Sequence, residues 1–173
     1  VKRVGLLLCR KLRGQIKLIP IILDLAECWM VSFAKRTDPD GALFDGSSPD
    51  MPYVTLKIAG QPSSPLRRLV FTTVSHDQGW SSHTAEIGTY RQVHSWFEAG
   101  NASLQPKNRR KIENNVHGSP DTRTHRNVWV PSLSSKYSDW MATFRSDDVL
   151  EVYAKAQYPG WENHVYSAEI VAY

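Results

Sequence analysis

A short run at residues 75 to 81, Ser-His-Asp-Gln-Gly-Trp-Ser, combines polar side chains with an indole ring. Sugar binding uses an aromatic ring against the apolar face of the sugar and planar polar groups that exchange hydrogen bonds with its hydroxyls. Trp80 provides such a ring, Asp77 and Gln78 provide the planar groups, and His76 lies beside them. The run follows a strongly apolar segment, so we predict a ligand-binding turn at the end of a strand.

A second aromatic turn precedes the last strand. Residues 158 to 161 read Tyr-Pro-Gly-Trp, and Trp161 and Asn163 join the predicted site if this turn and the first lie at the same end of the fold. An alternative interpretation is structural. In it, Asp77 and Gln78 bond to their own turn and the two Trp rings cover the edge of a core, with Asn163 bonded to the backbone.

Catalytic and metal-binding patterns are weak. No serine lies in a GxSxG elbow, and no HExxH motif is present. The carboxylates Glu98, Glu151 and Glu169 lie on predicted strands, and a glycosidase would need a pair separated by roughly 5 to 9 Å across a cleft. We therefore expect a non-catalytic protein with no cofactor and no metal, and keep a glycan-acting hydrolase as a lesser alternative.

Composition restricts the class of protein. The chain has 173 residues, 41% of them hydrophobic, which excludes a disordered protein. Its net charge of +4 is small, and the basic cluster at residues 107 to 111 contains no aromatic residue, so no nucleic acid partner is expected. Two cysteines, Cys9 and Cys28, are too few for a disulfide framework, which favours a cytoplasmic location.

The first 52 residues predict a basic segment, a helix and a linker. Apolar residues recur at helical spacing over residues 21 to 33, whereas residues 35 to 52 are rich in Asp, Gly, Ser and Pro. The apolar stretch around this helix contains charges and Pro20, so no membrane span is expected. The chain begins at Val1, from which we expect missing upstream sequence.

From residue 53 the apolar period is two, and we predict a β-sandwich domain over residues 53 to 173. Strands are predicted at 53 to 58, 66 to 75, 90 to 98, 123 to 130, 149 to 156 and 165 to 172. One short helix is predicted near 134 to 144, and residues 101 to 115 are predicted to form a protruding loop. The long connections and the absence of a βαβ pattern favour a mainly β, antiparallel two-sheet sandwich.

Several segments of the sequence resemble those of a known domain. Four segments are similar to those of an uncharacterised domain of fungal proteins. They are the run at 75 to 81, Gly-Thr-Tyr at 88 to 90, Ser-Trp-Phe-Glu at 95 to 98, and the segment from Tyr158 through Trp161 and Asn163. The resemblance extends from about residue 20 to the C-terminus and implies a galactose-binding-like jelly roll without an assigned activity. Residues 83 to 87 depart from the acidic, Pro-containing stretch expected there.

Two functional hypotheses follow. In the first, the protein is a non-catalytic recognition module whose ligand, a carbohydrate or a protein, binds at the end of the sandwich near Trp80 and Trp161. In the second, the protein is an intracellular adaptor whose helix at residues 21 to 33 docks a partner protein.

Overall fold

Two antiparallel sheets of four strands each make up most of the fold. The computed structural model describes residues 21, 22, 25, 26, 29, 31–59, 66–131 and 137–173. One sheet has the order β1-β8-β3-β6 and the other β2-β7-β4-β5. The strands are β1 (Ser32–Asp45), β2 (Val54–Lys57), β3 (Leu69–Asp77), β4 (Ser95–Asn101), β5 (Arg110–Asn114), β6 (Arg123–Trp129), β7 (Val149–Ala156) and β8 (Glu162–Ala172). The predicted mainly β, two-sheet architecture is confirmed.

The core lies between the two sheets, and the central strands contribute alternate residues to it. In β3, which pairs with both β8 and β6, Leu69 and Phe71 are fully or almost fully buried. Phe97 of β4 and Leu150 of β7 face them from the other sheet and are also fully buried. The β-branched and aromatic composition of these strands suits such a surface, because their side chains pack well on a pleated sheet.

Towards the end of β3 the interior becomes polar. The core-facing positions of this strand pass from Leu69 and Phe71 to Thr73, Ser75 and Asp77, all of which are buried. Ser95, the first residue of β4 in the other sheet, is buried at the same end. One end of the sandwich is therefore held by hydrogen bonds, and the candidate site lies there.

Strand β1 contradicts the linker prediction for residues 35 to 45. It pairs with β8 from Ser32 opposite Ala172 to Asp45 opposite Glu162, with an irregularity between Thr37 and Ala42. Strand β1 therefore belongs to the sandwich although it precedes residue 53, where the sandwich was predicted to begin. The sequence pattern did not predict β1 because this strand contains Pro39 and many polar residues. It lies at the edge of its sheet, where proline and charge are tolerated.

Strand β5 contradicts the loop prediction for residues 110 to 114. It pairs with β4 at the edge of its sheet, and Ile112 is its only buried residue. A five-residue edge strand with one buried side chain produces no apolar alternation that a sequence pattern can detect. Trp96 is half-buried on the outer face of β4, where Lys111 lies over its ring.

The helix predicted near 134 to 144 is present as α1 (Ser138–Met141), with Trp140 and Met141 buried; residues 132 to 136 lie outside the described part of the chain. Much of the helix predicted at 21 to 33 also lies outside it, and Ser32 and Phe33 belong to β1. In the ranges that the structure describes, no helix has the length and apolar character needed to cross a membrane.

Candidate functional site

A pocket of about 330 Å³ opens at the polar end of the sandwich. Its walls come from the loop after β3, the segment before β4 and the turn between β7 and β8. These segments meet because, in antiparallel sheets, the ends of β3 and β7 lie beside the starts of β8 and β4. The two turns singled out in the sequence therefore line one concave surface.

Trp80 is the most exposed aromatic side chain of this surface, with 62% of it accessible to solvent. Its ring rests against the backbone of Gly160, where an added Cβ would lie 3.2 Å from Trp80 Cη2. Gly160 has φ +83°, which favours glycine for a second, conformational reason. The chain thus supports one edge of the indole from behind and leaves the rest of it open.

Trp161 forms part of the pocket wall and is half-buried. The rings of His94 and His117 approach it edge to face, with centroid distances of 4.9 and 5.2 Å. His94 meets the ring of Tyr158 in the same way at 4.9 Å, and Tyr158 is 55% exposed. Such pairs fix ring orientations, so this wall has a defined shape.

Gln78 lines the pocket and holds the loop after β3. Its Nε2 donates to the carbonyl oxygen of Trp80 at 2.7 Å. This bond directs the amide so that Oε1 is buried without a hydrogen-bond partner among the described residues. A buried acceptor of this kind carries a desolvation cost of about 1 to 3 kcal/mol until a donor reaches it.

Asp77 lies inside the fold and does not line the pocket. Its side chain is fully buried; Oδ1 accepts from Ser95 Oγ at 2.8 Å and Oδ2 from the Gly118 N–H at 2.7 Å. Burial raises the pKa of this carboxyl, and the hydrogen bonds from Gly118 and Ser95 oppose the rise. Asp77 therefore connects β3, β4 and the loop at Gly118 beneath the pocket.

Asn163 is also fully buried and belongs to the same interior network. Its Oδ1 accepts from Asn115 Nδ2 at 2.9 Å, and its Nδ2 donates to the Trp96 carbonyl at 3.0 Å. Asn115 in turn accepts from Ser75 Oγ at 2.7 Å. These bonds join the two sheets, so Asn163 supports the site from inside.

His76 lies on the outer face of its sheet. The sequence places it in a turn with Asp77, but β3 continues through both residues, and successive side chains of a strand point to opposite faces. The His76 ring stacks on His164 at a centroid distance of 4.5 Å, and its Nε2 lies 3.3 Å from the Tyr166 hydroxyl. Of the six predicted site residues, Gln78, Trp80 and Trp161 line the pocket.

Two pocket residues have unusual backbone conformations. Gln92 has φ 51° and Tyr158 has φ 75°, values in the left-handed region that residues with side chains rarely adopt. Such conformations cost of the order of 1 to 3 kcal/mol each and concentrate at functional sites. Apart from Asp147, these are the non-glycine residues with positive φ in the described chain.

Ser81, His94 and His117 belong to this region and were not predicted as site residues, although Ser81 lies within the run at residues 75 to 81. Ser81 and His94 line the pocket, and His117 is fully buried behind it with Nε2 2.6 Å from Ser81 Oγ. No local pattern points to His117, because its partner is 36 residues away along the chain.

The carboxylates considered for glycoside chemistry lie elsewhere. Glu98 and Glu151 are on the outer face of one sheet, bonded to Trp96 Nε1 and the Tyr153 hydroxyl, and Glu169 is on the outer face of the other sheet. None lines the pocket. Within the described ranges, no group of three or more His, Cys, Asp or Glu side chains is arranged to hold a metal ion.

Comparison of the chain with known protein families found no matching family, and a search of curated proteins found no significant match.

Proposed function

We propose that the protein is a recognition module that binds a carbohydrate in the pocket at the end of the sandwich. The observation that carries this proposal is the position of Trp80, which is 62% exposed yet supported from behind by the Gly160 turn. An indole that only completed a core would be covered. An exposed indole at the mouth of a pocket offers a flat apolar surface to a sugar ring.

The polar groups of the pocket support the same ligand class. Gln78 Oε1 has no hydrogen-bond donor among the described residues, and His94 supplies ring nitrogens next to the aromatic wall. Sugar hydroxyls both donate and accept hydrogen bonds, so they match such a mixture. The pocket volume of about 330 Å³ suits a small ligand such as one sugar unit.

The strand order supports a finer assignment of the fold. We infer a jelly roll, in which eight strands in two four-stranded sheets are connected by Greek keys, from the orders β1-β8-β3-β6 and β2-β7-β4-β5. The resemblance to a fungal galactose-binding-like domain agrees with this inference. The two sequence runs that carry it, around Trp80 and Trp161, supply much of the pocket wall. A cytoplasmic location remains our expectation from the cysteine content.

Screening the purified protein on a glycan array, followed by calorimetric titration of the best ligand, tests the proposal. Trp80→Ala is expected to weaken binding at least about tenfold, the equivalent of the 1.4 kcal/mol or more that a stacked aromatic contributes. Tyr90→Ala is the matched control, because Tyr90 is 54% exposed but lies outside the pocket. Absence of any glycan ligand, or unchanged affinity in Trp80→Ala, refutes the proposal.

A further inference from the structure

A serine and a histidine form a close hydrogen-bonded pair at the pocket wall. Ser81 lines the pocket, and its Oγ lies 2.6 Å from Nε2 of His117, which is fully buried behind it. A serine at a pocket wall whose hydroxyl contacts an imidazole has the arrangement of an activated nucleophile and its base.

The other nitrogen of the ring determines which atom donates in this pair. His117 Nδ1 lies 3.0 Å from the carbonyl oxygen of Arg91, and a carbonyl can only accept. Nδ1 therefore carries the proton, and in the neutral ring Nε2 is the acceptor for the Ser81 hydroxyl. The order of groups is nucleophile, base and orienting acceptor, as in catalytic triads whose third member fixes the tautomer of the histidine.

The backbone and the surrounding rings hold His117 in place. Its N–H donates to the Thr89 carbonyl at 2.8 Å, and its own carbonyl accepts from the Gly88 N–H at 2.9 Å. The Trp161 ring packs edge to face on the imidazole at 5.2 Å. Such anchoring keeps the base in one orientation, which proton transfer requires.

Two further groups lie close to the pair. The Asp77 carboxylate accepts from the Gly118 N–H at 2.7 Å, so a buried acidic group lies next to the backbone of His117. On the other side, the His83 N–H donates to Ser81 Oγ at 3.0 Å and so fixes the position of the hydroxyl. The hydroxyl therefore accepts from the His83 N–H while it donates to His117 Nε2.

We propose that Ser81, with His117 as its base, cleaves O-acyl esters of a small ligand in the pocket. Ser81 Oγ bonds to the acyl carbon while its proton passes to His117 Nε2, and that proton then goes to the departing alcohol oxygen as the ester C–O bond breaks. Water attacks the acyl-serine and gives a proton to His117, which returns it to Oγ as the acid leaves. The overall reaction converts an ester and water into an alcohol and a carboxylic acid.

The carbohydrate part of the substrate, an O-acylated sugar, rests on the proposed function; the chemistry at Ser81 does not. The first test therefore uses probes without sugar. Purified full-length chain is treated with a fluorophosphonate, and the site of the adduct is mapped by mass spectrometry. Turnover of p-nitrophenyl acetate is measured in parallel.

We expect the adduct on Ser81, and loss of turnover by a factor of about 10² or more in Ser81→Ala. Ser103→Ala is the control, because Ser103 is an exposed serine in the loop after β4 and outside the pocket. Adduct mapping on the unaltered protein makes the result independent of how well a variant folds. An unlabelled Ser81, or turnover in Ser81→Ala equal to that of the unaltered chain, overturns the proposal.

The glycan array separates this proposal from the proposed function. If a glycan binds while Ser81 remains inert towards both probes, recognition stands and the ester chemistry is refuted. If Ser81 reacts and turns over the aryl ester while no glycan binds, the ester chemistry stands and the carbohydrate ligand is refuted.

Discussion

The Gly118 N–H donates to the Asp77 carboxylate at 2.7 Å, a bond that fixes the end of β3 to the loop carrying His117. The other carboxylate oxygen accepts from Ser95 at 2.8 Å, at the start of β4. A single buried side chain thus connects both sheets and a loop directly beneath the pocket.

Replacing Asp77 tests how much its hydrogen bonds contribute to the free energy of unfolding. Asp77→Ala leaves the buried Ser95 hydroxyl and the Gly118 N–H without their acceptor and should lower the free energy of unfolding by about 3 kcal/mol. Asp77→Asn keeps the shape, with one amide atom accepting and the other donating, and should cost less than half as much. Urea denaturation measures both; equal losses would show that the hydrogen bonds contribute little.

The same carboxyl should make stability depend on pH. Burial raises its pKa above the ordinary value of 3.8, so between 3.8 and the raised value the folded protein holds a proton that the unfolded chain has released. The contribution of Asp77 to the free energy of unfolding therefore falls as the pH rises through this window. Relative to Asp77→Asn, the unaltered protein should lose stability from pH 3.8 upwards. A gain over this range would contradict the expectation.

Asn115 is expected to be the most sensitive amide of the interior. It is fully buried, accepts from Ser75 and donates to Asn163. Asn115→Leu leaves these buried partners without their hydrogen bonds. It should reduce the free energy of unfolding by about 3 kcal/mol. Its neighbour Asn114, which bonds to Lys111 near the surface, is the control, and Asn114→Leu should cost less than about 1 kcal/mol. Chemical denaturation measures the loss of unfolding free energy in both variants. Equal losses would contradict the expectation that the buried amide contributes more than the surface amide.

Gly160 is expected to control the orientation of Trp80. An added methyl group would lie 3.2 Å from the indole and would require a backbone with φ +83°. Gly160→Ala should therefore destabilise the protein by about 1 to 2 kcal/mol from strain and also displace the ring. Gly88→Ala separates the two effects, because Gly88 has φ +82° but no atom of the described residues within 4 Å of the added carbon. Tryptophan fluorescence should change in the first variant and stay constant in the second.

Asp50 should contribute stability that is lost in acid. The Arg109 guanidinium bonds to it at 2.7 Å, and this bond, together with Lys155 at 3.0 Å, lowers its pKa to about 2. Its stabilising contribution is present above the ordinary value of 3.8 and disappears as the pH falls towards 2. Because the side chain is 48% exposed, the contribution is screened, and Asp50→Asn should cost about 1 kcal/mol at pH 7.

The measurement for Asp50 is thermal unfolding of both forms at pH 7 and pH 2. The difference should be much smaller at the lower pH, where about half of the folded molecules have a protonated Asp50. Asp121→Asn provides the comparison, because Asp121 pairs with Arg123 at 3.5 Å on a largely exposed surface and should change stability little at either pH. A difference for Asp50 that persists undiminished at pH 2 would refute this account.

Much of the fold was predictable because its central strands bury alternate residues. The alternation predicted β7 with its observed limits and most of β3, β6 and β8. It failed for β1 and β5, two of the four edge strands, because each has a single buried residue, Ser32 in β1 and Ile112 in β5, and therefore no apolar alternation. The candidate site was predictable only in part for a related reason: β3 runs through Asp77, and strand alternation then sends His76 outward and Asp77 inward.

By itself, the sequence determined the β-rich architecture and the two Trp-containing turns, since both depend on residues that are neighbours along the chain. Only the tertiary structure decided that these turns meet, that Asp77 and Asn163 are enclosed, and that Ser81 contacts His117. The physical reason is that strand pairing sets which distant loops become neighbours. A hydrogen bond between side chains 36 residues apart exists only once that pairing has formed.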